Sequence, residues 1–516
     1  LNVLLINPKT PPTFWSFPEQ ALFSGRKAVV PPLGLLTVAA LFPPHWSAKM
    51  VDLDARELEQ ADWDWADVVM LTGMIVQKQS LISLIKEAKQ RNKIVVVGGP
   101  YVSSVPEEVQ AAGCDFLVRG EVERLMDKVV MALENREQGG VFEARTHPPL
   151  TESPVPRFDL VRMDDYLAMS IQTSRGCPFD CEFCDIVNLY GRIPRCKSPE
   201  QVIRELDYLY QLGWRREIFI SDDNFIGNRA HAMAVLDLLI PWMKSHGEPF
   251  NFIAQASVNL GRDLELIDRL TEANISHIFV GVESPDEEIL KAAHKYQNVK
   301  TPLIDSLNNM NKNGLSVMAS FIIGFDGEKK GAGERICAFV QETNIPVVML
   351  NTLHILPNTK LWDRLKSDGR LLEDSTSGQS TGGVLNYIPD RPEEEILEEY
   401  VQAWNYLYEP SRFLERTYRY YLSMRPTRAA GGVVADPAAT VNGRGFKDAA
   451  GDIQRFARLS WRQGLVSRAR RRYWRQIFGM MKHNPSRFVP YIVRCIMGED
   501  MFRIRKSLLK DSRAFQ

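Results

Sequence analysis

The chain has 516 residues, enough for two or three domains. A hydrophobic content of 45%, a charged content of 25% and a net charge of −1 describe a soluble globular protein and argue against a polyanionic partner for the chain as a whole. Seven cysteines, three of them clustered, suit a reducing, cytoplasmic compartment and a metal site better than a disulfide framework, and no apolar run reaches the eighteen or so residues of a membrane span.

Residues 1–140 alternate short apolar runs with helical patterns. Val3–Ile6, Val68–Leu71, Ile94–Val97 and Phe116–Val118 read as buried parallel strands. Leu81, Ile82, Leu84, Ile85 and Ala88 give one helical face, and another helix is expected from about Glu121. This is the pattern of an α/β doubly wound, flavodoxin-like sheet, in which ligands bind beyond the carboxyl ends of the strands. The candidates there are Asn7, the Gly73-Met74 pair and the Gly98-Gly99 pair, the glycines permitting close approach of backbone to a ligand. His45 follows Pro43-Pro44 and reads as a surface residue in a turn. Residues 141–168 hold four prolines between positions 148 and 156 and read as an extended linker.

Residues 169–375 contain six strand-then-helix units. The apolar run Tyr166–Thr173 leads directly into Cys177, Cys181 and Cys184, spaced Cys-x3-Cys-x2-Cys with Phe183 before the third. Three thiolates can hold three irons of a [4Fe–4S] cluster and leave the fourth open. A structural zinc site is the alternative, but it prefers four closed ligands, and Cys196 stands twelve residues on without a partner. Ser198, Pro199 and Gln201 form a helix-start signature. Later strands are expected at 217–220, 252–255, 278–281, 318–323 and 347–350, and Thr301-Pro302 and Gly314 bracket a helix. Polar residues fall at the strand ends: Asp222 and Asp223, Gln255 and Ser257, Glu283, then His354, with Gly324 at the end of the fifth strand. His354 reads equally as a substrate-side acid or base and as a packed histidine.

Residues 376–516 read as a mainly helical extension. Ser/Thr/Gly-rich residues 374–382 and Gly/Ala-rich residues 429–445 are expected loops, with helical patterns at 392–410 and 410–424. From Arg455 onward there are sixteen Lys and Arg against three Asp and Glu, interleaved with aromatics such as Trp461, Tyr473, Phe478 and Tyr491. Three readings stay open: a solvated face over a packed core, peripheral contact with an anionic membrane, and nucleic-acid binding, the last without a recognised reading motif.

The three-cysteine motif resembles that of the radical S-adenosylmethionine (SAM) superfamily. Leu4-Leu5-Ile6-Asn7-Pro8, Pro31-Pro32-Leu33-Gly34-Leu35-Leu36, Val97-Gly98-Gly99-Pro100 and Gly120-Glu121 resemble the cobalamin-binding domain that precedes the radical SAM core in a large subfamily. The Asp-x-His-x-x-Gly motif that supplies a histidine to cobalt elsewhere is absent. The domain order, the Phe14-Trp15-Ser16-Phe17 loop and Met74-Ile75-Val76-Gln77 are similar to a branch that includes hopanoid C-2 methylases.

The resemblance implies a partial (β/α)6 TIM-type barrel after the cobalamin-binding domain. It implies a [4Fe–4S] cluster on Cys177, Cys181 and Cys184, with Phe183 beside it and SAM on the open iron. A carboxylate of Asp222 or Asp223 would meet the SAM ammonium group, Glu283 would lie near SAM and Gly324 by its adenine. Cobalamin would sit by Asn7, Gly73, Met74, Gly98 and Gly99. The implied reaction starts from a 5′-deoxyadenosyl radical and ends in methyl transfer from methylcobalamin to an unactivated carbon of a small-molecule or lipid substrate. An external electron donor of flavodoxin or ferredoxin type would serve the cluster. The alternatives are a radical oxidoreductase, cyclase or ring-contraction enzyme with the same cofactors, and a zinc-dependent nucleic-acid-binding protein.

Overall fold

The computed structural model describes residues 1–11, 13, 16–372, 385–428, 430 and 446–514. The 374–382 and 429–445 stretches and the Phe14-Trp15 pair therefore lie largely or wholly outside the described residues.

Fourteen strands are present among these residues. β1 (Asn2–Asn7), β2 (Ser47–Asp52), β3 (Val68–Thr72), β4 (Ile94–Gly98), β5 (Phe116–Arg119) and β6 (Gly140–Glu143) form one sheet in the order β2-β1-β3-β4-β5-β6, parallel at every pairing. Continuous apolar strands are what a parallel sheet covered on both faces requires, and Val3, Leu4, Leu5 and Ile6 are fully buried. Two readings change. β6 pairs with β5 across residue 140, so the first domain runs a few residues into the expected linker. The helix expected from Glu121 is Met126–Glu134, because Glu121 points into the domain junction instead.

The second sheet takes β7 (Ala168–Ile171), then, after the short antiparallel hairpin β8 (Ser174–Arg175) with β9 (Arg195–Cys196), β10 (Glu217–Ile220), β11 (Asn251–Gln255), β12 (Ile275–Glu283), β13 (Ser316–Ile323) and β14 (Val347–Thr352). Its order is β14-β13-β12-β11-β10-β7, all parallel, and β7 and β14 remain unpaired edges: a six-stranded partial barrel. The Ser198 cap is as the sequence suggests, its hydroxyl accepting from Gln201 N while the Gln201 side chain returns to Ser198 N.

The C-terminal helices grip this barrel. Glu393–Leu407 and Pro410–Ser423 pack beside β14 and bury Trp404, Tyr408, Tyr420 and Tyr421. At the amino-terminal end of the barrel, Arg494 from the helix Phe488–Ala514 donates to Ser316 Oγ (3.0 Å from Nη2) and to Tyr421 Oη (3.3 Å from Nε). This end of such barrels serves stability. The same helix reaches the first domain, where Asp500 accepts from Glu19 N (2.7 Å) and Gln20 N (3.0 Å) at the start of the helix Pro18–Phe23.

Arg416 is 1% exposed and binds three carbonyls, Ile345 O (2.8 Å), Leu407 O (3.0 Å) and Pro346 O (3.1 Å). Arg416→Met keeps the apolar stem and leaves those carbonyls without their donor. We expect a stability loss of about 3 kcal/mol, since each buried unpaired group costs roughly 1–3 kcal/mol. Denaturant unfolding checks it; a loss below about 1 kcal/mol would mean that water replaces the guanidinium.

Candidate functional site

The cluster loop leaves β7 and is folded by two carboxylates at the end of β10. Asp222 is completely buried; it accepts Thr173 N (2.6 Å), Thr173 Oγ1 and Ser174 Oγ (2.7 Å). Burial pushes its carboxyl up despite those bonds. Both oxygens are committed and no surface is open, so Asp222 is a positioning residue and not a partner for the SAM ammonium group. Asp223 is half-buried, accepts Gly176 N at 2.8 Å and is pushed up to about 6 by burial. It is the carboxylate of the pair with access to the loop.

Gly176 has φ +99°, and a Cβ there would lie 2.9 Å from Gly191 O. The loop can therefore turn back on itself only at a glycine. Cys177 N donates to Gly191 O (3.3 Å) and Cys184 N to Cys181 O (3.2 Å), which holds the three cysteines on one tight loop. All three are free thiols of intermediate exposure. Burial pushes the Cys177 thiol up and the Cys184 thiol up to about 12, so deprotonation there would need a bound metal. Among the described residues no three His, Cys, Asp or Glu side chains form a mononuclear metal group. A donor set of three thiols on one loop fits a [4Fe–4S] cluster, in which each thiolate takes a different iron. Cys196 sits on β9 opposite Ser174, outside the loop.

The other strand-end residues gather around the carboxyl end of the barrel. Ser257 is held by Asn224: Ser257 N donates to Asn224 Oδ1 (3.3 Å), and Asn224 Nδ2 donates back to Ser257 Oγ (3.2 Å). Gln255 remains partly accessible at the end of β11, its carbonyl taking Phe225 N (2.9 Å). Glu283 ends β12 at φ +66° and accepts from Ser320 Oγ and Lys295 Nζ, both at 2.9 Å. Phe183 meets Phe325 edge-on, with centroids 5.7 Å apart. Gly324, expected by the adenine, carries Tyr387 against it: the phenol donates to Gly324 O, and a Cβ would lie 2.9 Å from its oxygen. His354 is largely buried, burial lowers its ring pKa, and neither ring nitrogen has a hydrogen-bond partner among the described residues.

Between the two sheets lies a cavity of about 760 Å³. It is within the roughly 300–1,000 Å³ of sites that enclose a ligand. Asn7, Gly73, Met74, Gly98 and Gly99 all line it, and from the barrel side so do Gln172, Arg175, Tyr190 and Ser221; Arg503 of the C-terminal helix joins them. Apolar walls come from Val30, Leu33, Leu35 and Val118. His45 is not among the lining residues and pairs with Glu134 (2.7 Å) on the surface.

The residue missed as a site element is Glu121. It is buried and receives Arg175 Nη1 (2.6 Å), Arg195 Nη1 (2.9 Å) and His147 Nδ1 (2.9 Å). Burial alone would raise its carboxyl, but Arg195 and Arg175 hold it below the usual range. The Gly120-Glu121 pair was visible in the sequence; its partners, 54 and 74 residues away, were not.

The glycines differ in what they show. Gly99 has φ +100°, and a Cβ would lie 2.2 Å from Thr72 Oγ1, so the sheet itself demands it. A Cβ on Gly34, which also lines the cavity, meets nothing within 4 Å. Nothing in the protein fills that space, and a cavity of this size with apolar walls and polar residues such as Asn7, Gln77 and Gln172 is a lining that suits cobalamin.

Comparison with known proteins agrees with this division. Residues 20–130 match the B12 binding domain, residues 171–340 the radical SAM superfamily, and residues 359–514 a domain of unknown function (DUF4070). An uncharacterized methyltransferase of Synechocystis sp. is 45% identical over 98% of this chain and 92% of its own length. The hopanoid C-2 methylase of Rhodopseudomonas palustris is 34% identical over 80% of this chain and 78% of its own. Among solved structures, the cobalamin-dependent SAM radical enzyme OxsB, with aqua-cobalamin and SAM bound, is similar in fold: TM-score 0.60, 16% identity, 99% of this chain and 80% of that one.

Gly34→Phe is expected to cut the cobalamin retained after reconstitution at least tenfold while leaving the melting temperature within a degree or two, because the ring enters open space. Gly99→Ala should lower both, through Thr72. Visible absorbance of bound cobalamin, read beside thermal unfolding, checks the pair; full cobalamin retention by Gly34→Phe would place the ligand elsewhere.

Proposed function

Because the chain belongs to the radical SAM superfamily, in the branch with a B12-binding domain that includes hopanoid C-2 methylases, we propose that it is a cobalamin-dependent C-methyltransferase acting on an unactivated carbon. The observation that carries this is the shared cavity, whose walls come from the strand ends of the first sheet and from Gln172, Arg175, Leu189, Tyr190 and Ser221, which flank the cluster loop. Cys177, Cys181 and Cys184 would hold a [4Fe–4S] cluster, Asp223, Gln255 and Glu283 would face SAM, and Asn7, Gly73, Met74, Gly98 and Gly99 would border cobalamin. When bound, these groups supply hydrogen abstraction from carbon and a methyl donor.

The chain's own work is placement. Asp222 and Asp223 fix the entry to the cluster loop; Glu121, through Arg175 and Arg195, fixes that loop against the first domain. Arg175 pairs with Glu121 and Glu123, and the three give the cavity a charged, hydrogen-bonded side. His354, unpartnered at the carboxyl end of β14, is offered as a hydrogen-bonding or proton-accepting group for substrate.

The tail supports a lipid substrate reached from a membrane surface. Tyr473 and Tyr491 are buried and belong to the packed core of the extension. Trp461, Leu465, Val466, Phe478 and Met481 are exposed by more than half, and Arg468, Arg470, Arg471, Arg475 and Lys482 are exposed among them. No helix among the described residues is long and apolar enough to cross a membrane. Exposed aromatics amid cations suit the interface of an anionic bilayer, each cation contributing about 1 kcal/mol. Arg472 is not part of this face, since it donates to Ser411 O at 2.8 Å.

Two measurements test these readings. Incubation of the anaerobically reconstituted enzyme with methyl-labelled SAM and lipid extract should transfer label to a product, and none should move in Cys177→Ala, Cys181→Ala or Cys184→Ala. Consumption of SAM without label transfer would favour an oxidoreductase or cyclase. Separately, the protein should float with vesicles containing anionic lipid at low salt. Phe478→Ser combined with Arg471→Gln and Arg475→Gln should abolish flotation; unchanged flotation would return the tail to a purely structural role.

A further inference from the structure

The segment Ala293-His294-Lys295-Tyr296-Gln297 lies against the cluster loop although it contains no cysteine. Ala293 O accepts Glu182 N at 3.1 Å, and Gln297 Nε2 donates to Cys181 Sγ at 3.5 Å. Between them Lys295, 8% exposed, places its ammonium 2.9 Å from Glu283 Oε1 and 5.7 Å from the centroid of the Phe183 ring, the residue before Cys184. Burial alone would lower the lysine pKa, but the Glu283 carboxylate in contact with it holds it above the ordinary value, so Lys295 stands as a cation beside the cluster loop.

The backbone is shaped to admit this pair. The register of β12 and β13 slips between Gly281 and Glu283, and Glu283 takes φ +66°. A Cβ on Gly281 would lie 2.3 Å from Glu283 Oε1 and 3.0 Å from Lys295 Nζ. The lysine is further fixed by Asn298, whose amide donates to Gly281 O (3.0 Å) and Val282 O (2.9 Å). Residues 281–283 and 295–298 thus form one rigid unit holding a charge pair whose positive end lies toward the cysteines.

We propose that Lys295 is a positioning residue for the cluster's electron chemistry: its fixed positive charge, aided by the Gln297 N–H toward Cys181, sets the reduction potential of the [4Fe–4S] cluster and makes it easier to reduce. Net charge around a cluster and hydrogen bonds to its sulfurs are the levers that set such potentials, and a neighbouring cation stabilises the more negative reduced state. Glu283 opposes it, so the pair acts as a graded device rather than a bare charge. The inference rests on the cluster reading above.

The test is a dye-mediated redox titration of the full chain, reconstituted anaerobically with iron and sulfide and followed by the EPR signal of the reduced cluster in the absence of SAM. Glu283→Gln leaves the lysine charge unopposed and should move the midpoint to a less negative value. Glu283→Gln with Lys295→Met removes both charges without burying a lone one, and should move it more negative than wild type. Lys295→Arg should stay at the wild-type value, and Gln297→Leu should shift negative by less than the double variant. A residue with only a packing role would alter iron content and would not give shifts of opposite sign. Equal midpoints in all loaded variants would overturn the proposal. So would loss of iron in the double variant that Lys295→Arg does not share, which would assign Lys295 to cluster retention. Failure of the wild-type chain to load iron would instead overturn the cluster reading itself.

Discussion

Two arginines of the β8–β9 hairpin that brackets the cluster loop, Arg175 and Arg195, share the buried carboxylate of Glu121 across the domain junction, and the geometry of the whole site depends on that contact. One partner comes from the end of the first sheet and the others from the first loop of the barrel. A buried charge without its partner typically costs 3–5 kcal/mol, so the two domains cannot drift apart at this point without a large penalty. The cavity is the space left between the walls that this contact holds, and its lining therefore mixes residues from both domains.

The same logic recurs at smaller scale around the cysteines. Asp222 and Asp223, adjacent in sequence, do different work because one is sealed and the other half-open. The sealed one binds the loop entry through three donors, and the open one binds Gly176 N. On the other side, residues 293–297 close the loop with a backbone bond, an amide and an ammonium. The cysteines are thus held by groups far apart in sequence. The C-terminal extension adds a third support. Arg416 and Arg494 bind barrel backbone and Ser316, while Asp500 caps the helix Pro18–Phe23 beside the cavity mouth. The extension thus joins both domains as well as presenting an exposed basic and aromatic face.

Much of this was legible from residues alone because local chemistry forces it. Apolar runs such as Val3–Ile6 suit buried parallel strands, the Ser198-Pro199-Gln201 signature starts a helix, and three free thiols within eight residues point to a metal cluster. The glycines beyond the strands of the first sheet were visible too, and all of them line the cavity. What the sequence could not apportion was the reason for each: Gly99 answers to Thr72 Oγ1 and a positive φ, whereas Gly34 answers to open space. Nor could it separate Asp222 from Asp223, or the buried Tyr473 and Tyr491 from the exposed Trp461 and Phe478, since burial is a property of what packs alongside.

Sequence by itself therefore placed the strands of both parallel sheets and the helix start at Ser198, which follow from hydrophobic period and turn chemistry over short spans. Only the tertiary structure decided that Glu121 is the junction, that Lys295 stands behind Glu283 and beside the cysteines, and that β6 belongs to the first sheet. Each of these is a meeting of groups separated by 12 residues to well over a hundred, or of two strands with a helix between them. Such meetings are fixed by how sheets and loops pack, and pairwise electrostatics in a buried junction leaves no periodic trace in the order of the residues.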